Sequence, residues 1–187
     1  SPSLYNNKIM LSSCDGMLRL IELGKGEVTE YFSVGSYVAS SPAVFEGRYY
    51  IASLKGTASC WDLKTEKTLW TETLTEEEEI YASPAVTGEF AVFASRSKDV
   101  CCYDSLSGKL RWKFSAKDSI DSSPVISGNM VFFGSNDGNL YGLELKTGKM
   151  LWSYTAGGQI TASPAIGNGK MVIGSSDGAV YCFGKKD

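Results

Sequence analysis

Histidine is entirely absent from this 187-residue chain. Its absence removes the commonest general base, the usual zinc ligand, and the Ser-His-Asp and Cys-His nucleophile arrangements. Cysteine is sparse: Cys14, Cys60, Cys101, Cys102 and Cys182 are odd in number and show no CxxC spacing. They support neither a disulfide framework nor a metal cluster, and they leave the redox compartment open. No apolar run approaches the roughly 18 residues needed to span a bilayer, so no membrane insertion is expected. Basic residues are outnumbered, 18 Lys and Arg against 21 Asp and Glu, for a net charge of −3. Nucleic-acid and anionic-membrane surfaces need clustered Lys and Arg, so neither is expected as a partner.

Proline is also scarce, and its placement is the strongest signal in the chain. All five prolines follow serine, at Ser1-Pro2, Ser41-Pro42, Ser83-Pro84, Ser123-Pro124 and Ser163-Pro164, with spacings of 40, 42, 40 and 40 residues. Other columns share the register. Val38, Ile80, Ile120 and Ile160 each stand four residues before a proline. A β-rich segment follows each pair: KIMLSS, RYYIAS, FAVFAS, MVFFGS and KMVIGS. Next comes a tight turn, with Asp15-Gly16, Asp137-Gly138 and Asp177-Gly178 in three copies; Asp-Gly readily takes the φ > 0 conformations of a hairpin turn. Lys55-Gly56 occupies that turn in the second copy and Ser97-Lys98 in the third, where the missing glycine predicts a different turn shape. A third strand reads MLRLIE, TASCWD, DVCCYD, NLYGLE and AVYCFG, and a fourth ends in Trp70, Trp112 and Trp152, with Glu30 in the first copy.

Four short antiparallel strands in each repeat of about 40 residues predict an all-β propeller. A β-sandwich has no reason to repeat its prolines and tryptophans in register. The expected architecture is a single propeller over 1–187, with blades at 1–36, 37–78, 79–118, 119–158 and a partial fifth at 159–187. The small-residue segments SSPAV, ASPAV, SSPVI and ASPAI suit the crowded innermost strands, and proline belongs at a strand's first residue. The column Leu20, Cys60, Cys102, Gly142, Cys182 reads as a small buried slot, with cysteine acting as a small hydrophobe. Trp70, Trp112 and Trp152 recur at one blade position, which points to docking of each blade on its neighbour.

The runs DSLSGKLRW (104–112) and ELKTGKMLW (144–152) resemble the tryptophan-docking motif of pyrroloquinoline-quinone (PQQ) repeat propellers, as does the whole pattern at 122–154. It is weaker at Glu30 and Glu66, which replace Trp and Gly. The resemblance implies one of two classes. Quinoprotein dehydrogenases hold PQQ and calcium over the channel; cofactor-free scaffolds include the lipoprotein of the bacterial outer-membrane β-barrel assembly machinery. Family habit implies a periplasmic or extracellular site. The dehydrogenases carry a vicinal disulfide over the quinone, but Cys101-Cys102 lies mid-strand, where adjacent side chains point to opposite faces. Catalytic, cofactor and metal residues are therefore expected to be none, and the chain is read as a non-catalytic module for protein–protein interaction. A fragment of a quinoprotein oxidoreductase is the alternative, and a ligand-sensing domain of a larger protein is a third.

Residues that break the repeat are the better functional candidates. Glu76, Glu77, Glu78 and Glu79 fill the longest connection between blades, and the Ser95–Lys98 turn of the following blade adds Arg96 and Lys98. A charged, asymmetric patch that docks a protein partner is expected there. Four full blades and a partial fifth also imply open apolar faces, through which self-association is expected.

Overall fold

Proline cannot donate to a β-ladder, and each proline stands immediately before the first strand of a sheet rather than inside one. The computed structural model describes residues 2–76 and 78–184. The first sheet comprises β1 (Ser3–Tyr5), β2 (Lys8–Ser12), β3 (Met17–Glu22) and β4 (Val28–Ser33). The second holds β5 (Ala43–Phe45), β6 (Arg48–Ala52), β7 (Thr57–Asp62) and β8 (Lys67–Thr73). The third holds β9 (Ala85–Val86), β10 (Phe90–Ala94), β11 (Asp99–Asp104) and β12 (Leu110–Ser115). The fourth holds β13 (Val125–Ser127), β14 (Met130–Gly134), β15 (Asn139–Glu144) and β16 (Met150–Thr155). The fifth holds β17 (Ala165–Gly167), β18 (Lys170–Gly174) and β19 (Val180–Gly184). Every sheet is antiparallel with strands in chain order, and the described residues form no helix.

The first strands of successive sheets, β1, β5, β9, β13 and β17, neighbour one another, so the sheets radiate from a common axis as blades. A ladder of serines joins them there. The Ser41 N–H donates to Ser83 Oγ, Ser83 N–H to Ser123 Oγ, and Ser123 N–H to Ser163 Oγ, each at 2.9 Å. The Ser-Pro pair thus serves two needs: proline starts the strand, and serine ties it to the next blade.

The core is divided among the four junctions between blades. Met10, Leu18, Tyr49 and Ile51 fill the first; Tyr50, Trp70, Phe93 and Tyr103 the second; Val92, Trp112, Phe133 and Leu143 the third; Leu140, Ile160, Met171 and Ile173 the fourth. Both faces of a middle strand are therefore apolar. In β10, the consecutive residues Val92 and Phe93 serve opposite junctions.

The turn between the second and third strands keeps one backbone shape. Gly16, Gly56, Gly138 and Gly178 have φ between 76° and 85°. Lys98 adopts φ 73° in the third blade, so the expected change of shape does not occur. A lysine is held in the left-handed region instead, at a cost of about 1 kcal/mol.

Candidate functional site

The tryptophans lie where one blade meets the next. Trp70 Nε1–H donates to Ser105 O at 3.0 Å, and Trp112 Nε1–H to Leu145 O at 2.7 Å. Each ring lies against a glycine of the following blade, Gly108 or Gly148. Trp70 and Trp112 are buried, whereas Trp152 is half-buried and lines an apolar groove of about 640 Å³ with Met130, Phe132, Ile166, Met171 and Phe183. In each four-stranded sheet a bulge follows the residue that pairs with the tryptophan or its counterpart, at Leu20, Cys60, Cys102 and Gly142. The small-residue column therefore lies directly across the sheet from the indoles.

The long connection after β8 is pinned at both ends. Leu74 and Thr75 N–H donate to Gly56 O at 2.8 and 3.3 Å, and Ile80 is fully buried. Between them Glu76, Glu78 and Glu79 are exposed; Glu77 lies outside the described residues. Glu78 N–H donates to Thr75 Oγ1 at 3.2 Å, which turns the chain.

From Glu79 a polar cluster crosses two blades. Tyr81 OH donates to Glu79 Oε2. The Arg96 guanidinium carbon stands 4.3 Å from the centre of the Tyr81 ring, a cation–π contact. Arg96 Nε donates to Asp121 Oδ1 at 2.6 Å. Asp121 Oδ2 accepts from Asn136 Nδ2 at 3.2 Å, and that amide also donates to Ser119 Oγ at 2.8 Å. The Asn136 Oδ1 atom is buried with no partner among the described residues. The hydrogen bond to Glu79 raises the Tyr81 pKa, and the Asp121 carboxylate raises that of Arg96.

The structure thus brings Glu79 and Arg96 together, with Tyr81 between them. Lys98 stands two residues from Arg96 in the same turn, and its carbonyl accepts from Ala116 N–H at 2.8 Å. No contact among the described residues joins its ammonium to the glutamates. Tyr81, Asp121 and Asn136 escaped the sequence reading. Their signal was present, because Tyr81 and Asp121 share a column with Ala39 and Thr161, and Asn136 shares Arg96's column with Cys14, Leu54 and Ser176. Both columns vary where the rest of the repeat is constant.

Cys101 and Cys102 are free thiols and do not form the vicinal disulfide that the quinoprotein resemblance implies. Cys101 belongs to the core between the second and third blades and Cys102 to that between the third and fourth, so the adjacent thiols face apart. Burial pushes Cys101 up to about 11 and Cys102 up to about 12. Among the described residues no three Cys, Asp or Glu side chains converge into a metal-binding group.

Radial four-stranded blades, serine-linked at the axis and locked by tryptophan on glycine, define a PQQ-type β-propeller. The sequence model of the family described as "outer membrane protein assembly factor BamB" matches residues 76–187, more than half of the chain, and the chain belongs to that family. Among solved structures it is similar to BamB from Moraxella catarrhalis, with a TM-score of 0.84 at 16% identity, covering 98% of this chain and 60% of that one. It also resembles the computationally designed Ika8 protein, with a TM-score of 0.85 at 18% identity over 98% of this chain and 57% of that one. The designed Ika4 protein matches with a TM-score of 0.72 at 19% identity over 80% of this chain and 92% of that one. The chain therefore spans about 60% of the length of the BamB structure it matches. No curated protein sequence matches it.

Proposed function

We propose that this chain serves as a non-catalytic propeller scaffold that engages a protein partner through the end carrying Glu76, Glu78, Glu79, Tyr81, Arg96 and Asp121. One observation carries the reading. The repeated axial serines, Trp70 and Trp112 hold blades together, while the Glu79–Tyr81–Arg96–Asp121–Asn136 cluster breaks the repeat and keeps Glu79, Tyr81 and Arg96 exposed. Exposed charge beside an aromatic ring suits a polar rim with an anchoring side chain at its centre. The family's description supports a partner within outer-membrane protein assembly and a periplasmic location.

Binding to the purified outer-membrane β-barrel assembly machinery tests this. Reversing Glu76, Glu78 and Glu79 together to lysine, and separately Arg96→Glu, is expected to weaken binding at least tenfold with an unchanged circular dichroism spectrum. Unchanged affinity in both variants would overturn the reading.

A further inference from the structure

In the last two blades the second-turn aspartate closes the junction with the blade before it. Asp137 Oδ2 accepts the Lys117 N–H at 3.0 Å and the Tyr141 hydroxyl at 2.7 Å. Asp177 Oδ2 accepts the Gly157 N–H at 3.0 Å and the Tyr181 hydroxyl at 2.6 Å. A carboxylate is thus a working part of these junctions. Burial alone would raise the Asp137 carboxyl; the hydrogen bonds from Tyr141, Asn139 and Lys117 outweigh it and hold the pKa down.

The repeat register puts Ser97 in that place at the second junction, where its hydroxyl is satisfied by Ser95 Oγ at 2.7 Å. At the first junction the register puts Lys55 there, and Gly35 where Lys117 and Gly157 donate. Tyr141's place falls to Ser59, whose hydroxyl accepts from Trp61 Nε1 at 3.0 Å. The carboxylate and the phenol are both replaced, and a recess of about 270 Å³ lies at the junction, lined by Asp15, Ser33, Gly35, Ser36, Tyr37 and Lys55. Its donors are poorly used. Ser36 Oγ is buried with no hydrogen-bond partner among the described residues, and a buried unpaired hydroxyl is costly. Gly35 N–H reaches only Ser33 Oγ, at 3.4 Å. Lys55 is exposed and forms no ion pair among the described residues. Asp15 is the one acidic group lining the recess, and its charge is compensated by an ion pair with Arg19.

We propose that this recess is a binding site for a carboxylate supplied by a ligand, which takes the place that the repeat's own aspartate holds in the fourth and fifth blades. The Lys55 ammonium supplies the countercharge, and the Ser36 hydroxyl and Gly35 N–H supply donors. The ligand class is either a small free carboxylate or an aspartate side chain on a peptide. The proposal does not depend on the Glu79–Arg96 cluster.

The test is a ¹H–¹⁵N NMR titration of the whole chain with sodium acetate, against sodium chloride at equal ionic strength. Parallel titrations use acetyl-Gly-Asp-Gly-amide and its Asn analogue. Saturable shifts are expected at Gly35, Ser36 and Tyr37 with acetate or with the Asp peptide, and not with chloride or the Asn peptide. A response to the Asp peptide alone assigns the source to a peptide side chain; a response to acetate as well extends it to free carboxylates. Lys55→Asp, which restores the repeat's Asp-Gly turn, is expected to abolish the response. Lys55→Met, which removes the charge without filling the recess, is expected to weaken it at least fivefold. Absence of any saturable response, or the same response in Lys55→Asp, would overturn the proposal.

Discussion

Gly108 lies against the Trp70 indole so closely that a β-carbon at position 108 would stand 2.6 Å from Trp70 Cγ. The same separation recurs between Gly148 and Trp112 Cδ2, and both glycines are left-handed, at φ 73° and 71°. The first junction departs from this pairing on both sides. Glu30 replaces the tryptophan and pairs with Lys8, while Glu66 replaces the glycine at φ 59°. Where no ring covers the turn, a side chain is tolerated.

Gly108→Ala is therefore expected to cost about 3 kcal/mol, from left-handed strain together with the clash. That is a fall in Tm of roughly 6–12 °C for a domain of this size. Glu66→Ala, without a ring above it, is expected to change stability by less than about 0.5 kcal/mol. Thermal melts of the two variants check the contrast, and equal losses would contradict it.

Trp112→Ala removes a buried ring and leaves Leu145 O without its donor. A loss of about 3–5 kcal/mol is expected. Urea unfolding measures it, and a loss below about 1 kcal/mol would mean that the indole contributes little to holding the third and fourth blades together.

Lys98→Gly relieves the left-handed lysine of the third blade. A gain of about 0.5–1 kcal/mol is expected, because glycine adopts that conformation without steric cost. Chemical denaturation reports it directly.

Acid should destabilise the fold through its turn carboxylates. Arg111 holds Asp104 well below the ordinary range, and Arg19 holds Asp15 down to about 2. The Tyr181 hydroxyl likewise lowers Asp177. Depressed folded-state values contribute stability that is present above the unfolded pKa of about 3.9 and is lost as pH falls through the folded value. With no histidine to titrate, stability is expected to be level from about pH 8 to pH 5 and to fall from about pH 4 to pH 2. Urea midpoints across that range test this, and Asp104→Asn should shallow the acid slope.

The fold was legible because the Ser-Pro and Trp registers repeat, and a repeat exposes its own period without any knowledge of contacts. The third-strand segment NLYGLE is β15 itself, and its partner segments fall on β3, β7 and β11 in the same way. The serine ladder was not legible, because a serine before proline reads the same whether it bonds within its own blade or to the next. The polar cluster was legible in part. Glu79 and Arg96 stand out as departures from the repeat, but pairing Arg96 with Asp121, 25 residues on, requires knowing which columns of successive blades face each other.

Hydrogen exchange of the chain with and without the outer-membrane β-barrel assembly machinery tests the central claim most directly. Protection is expected at residues 78–82, 95–97, 119–121 and 136, with the outer turns at 105–108 and 145–148 unchanged. Protection confined to those outer turns, with none around Tyr81 and Arg96, would contradict the account.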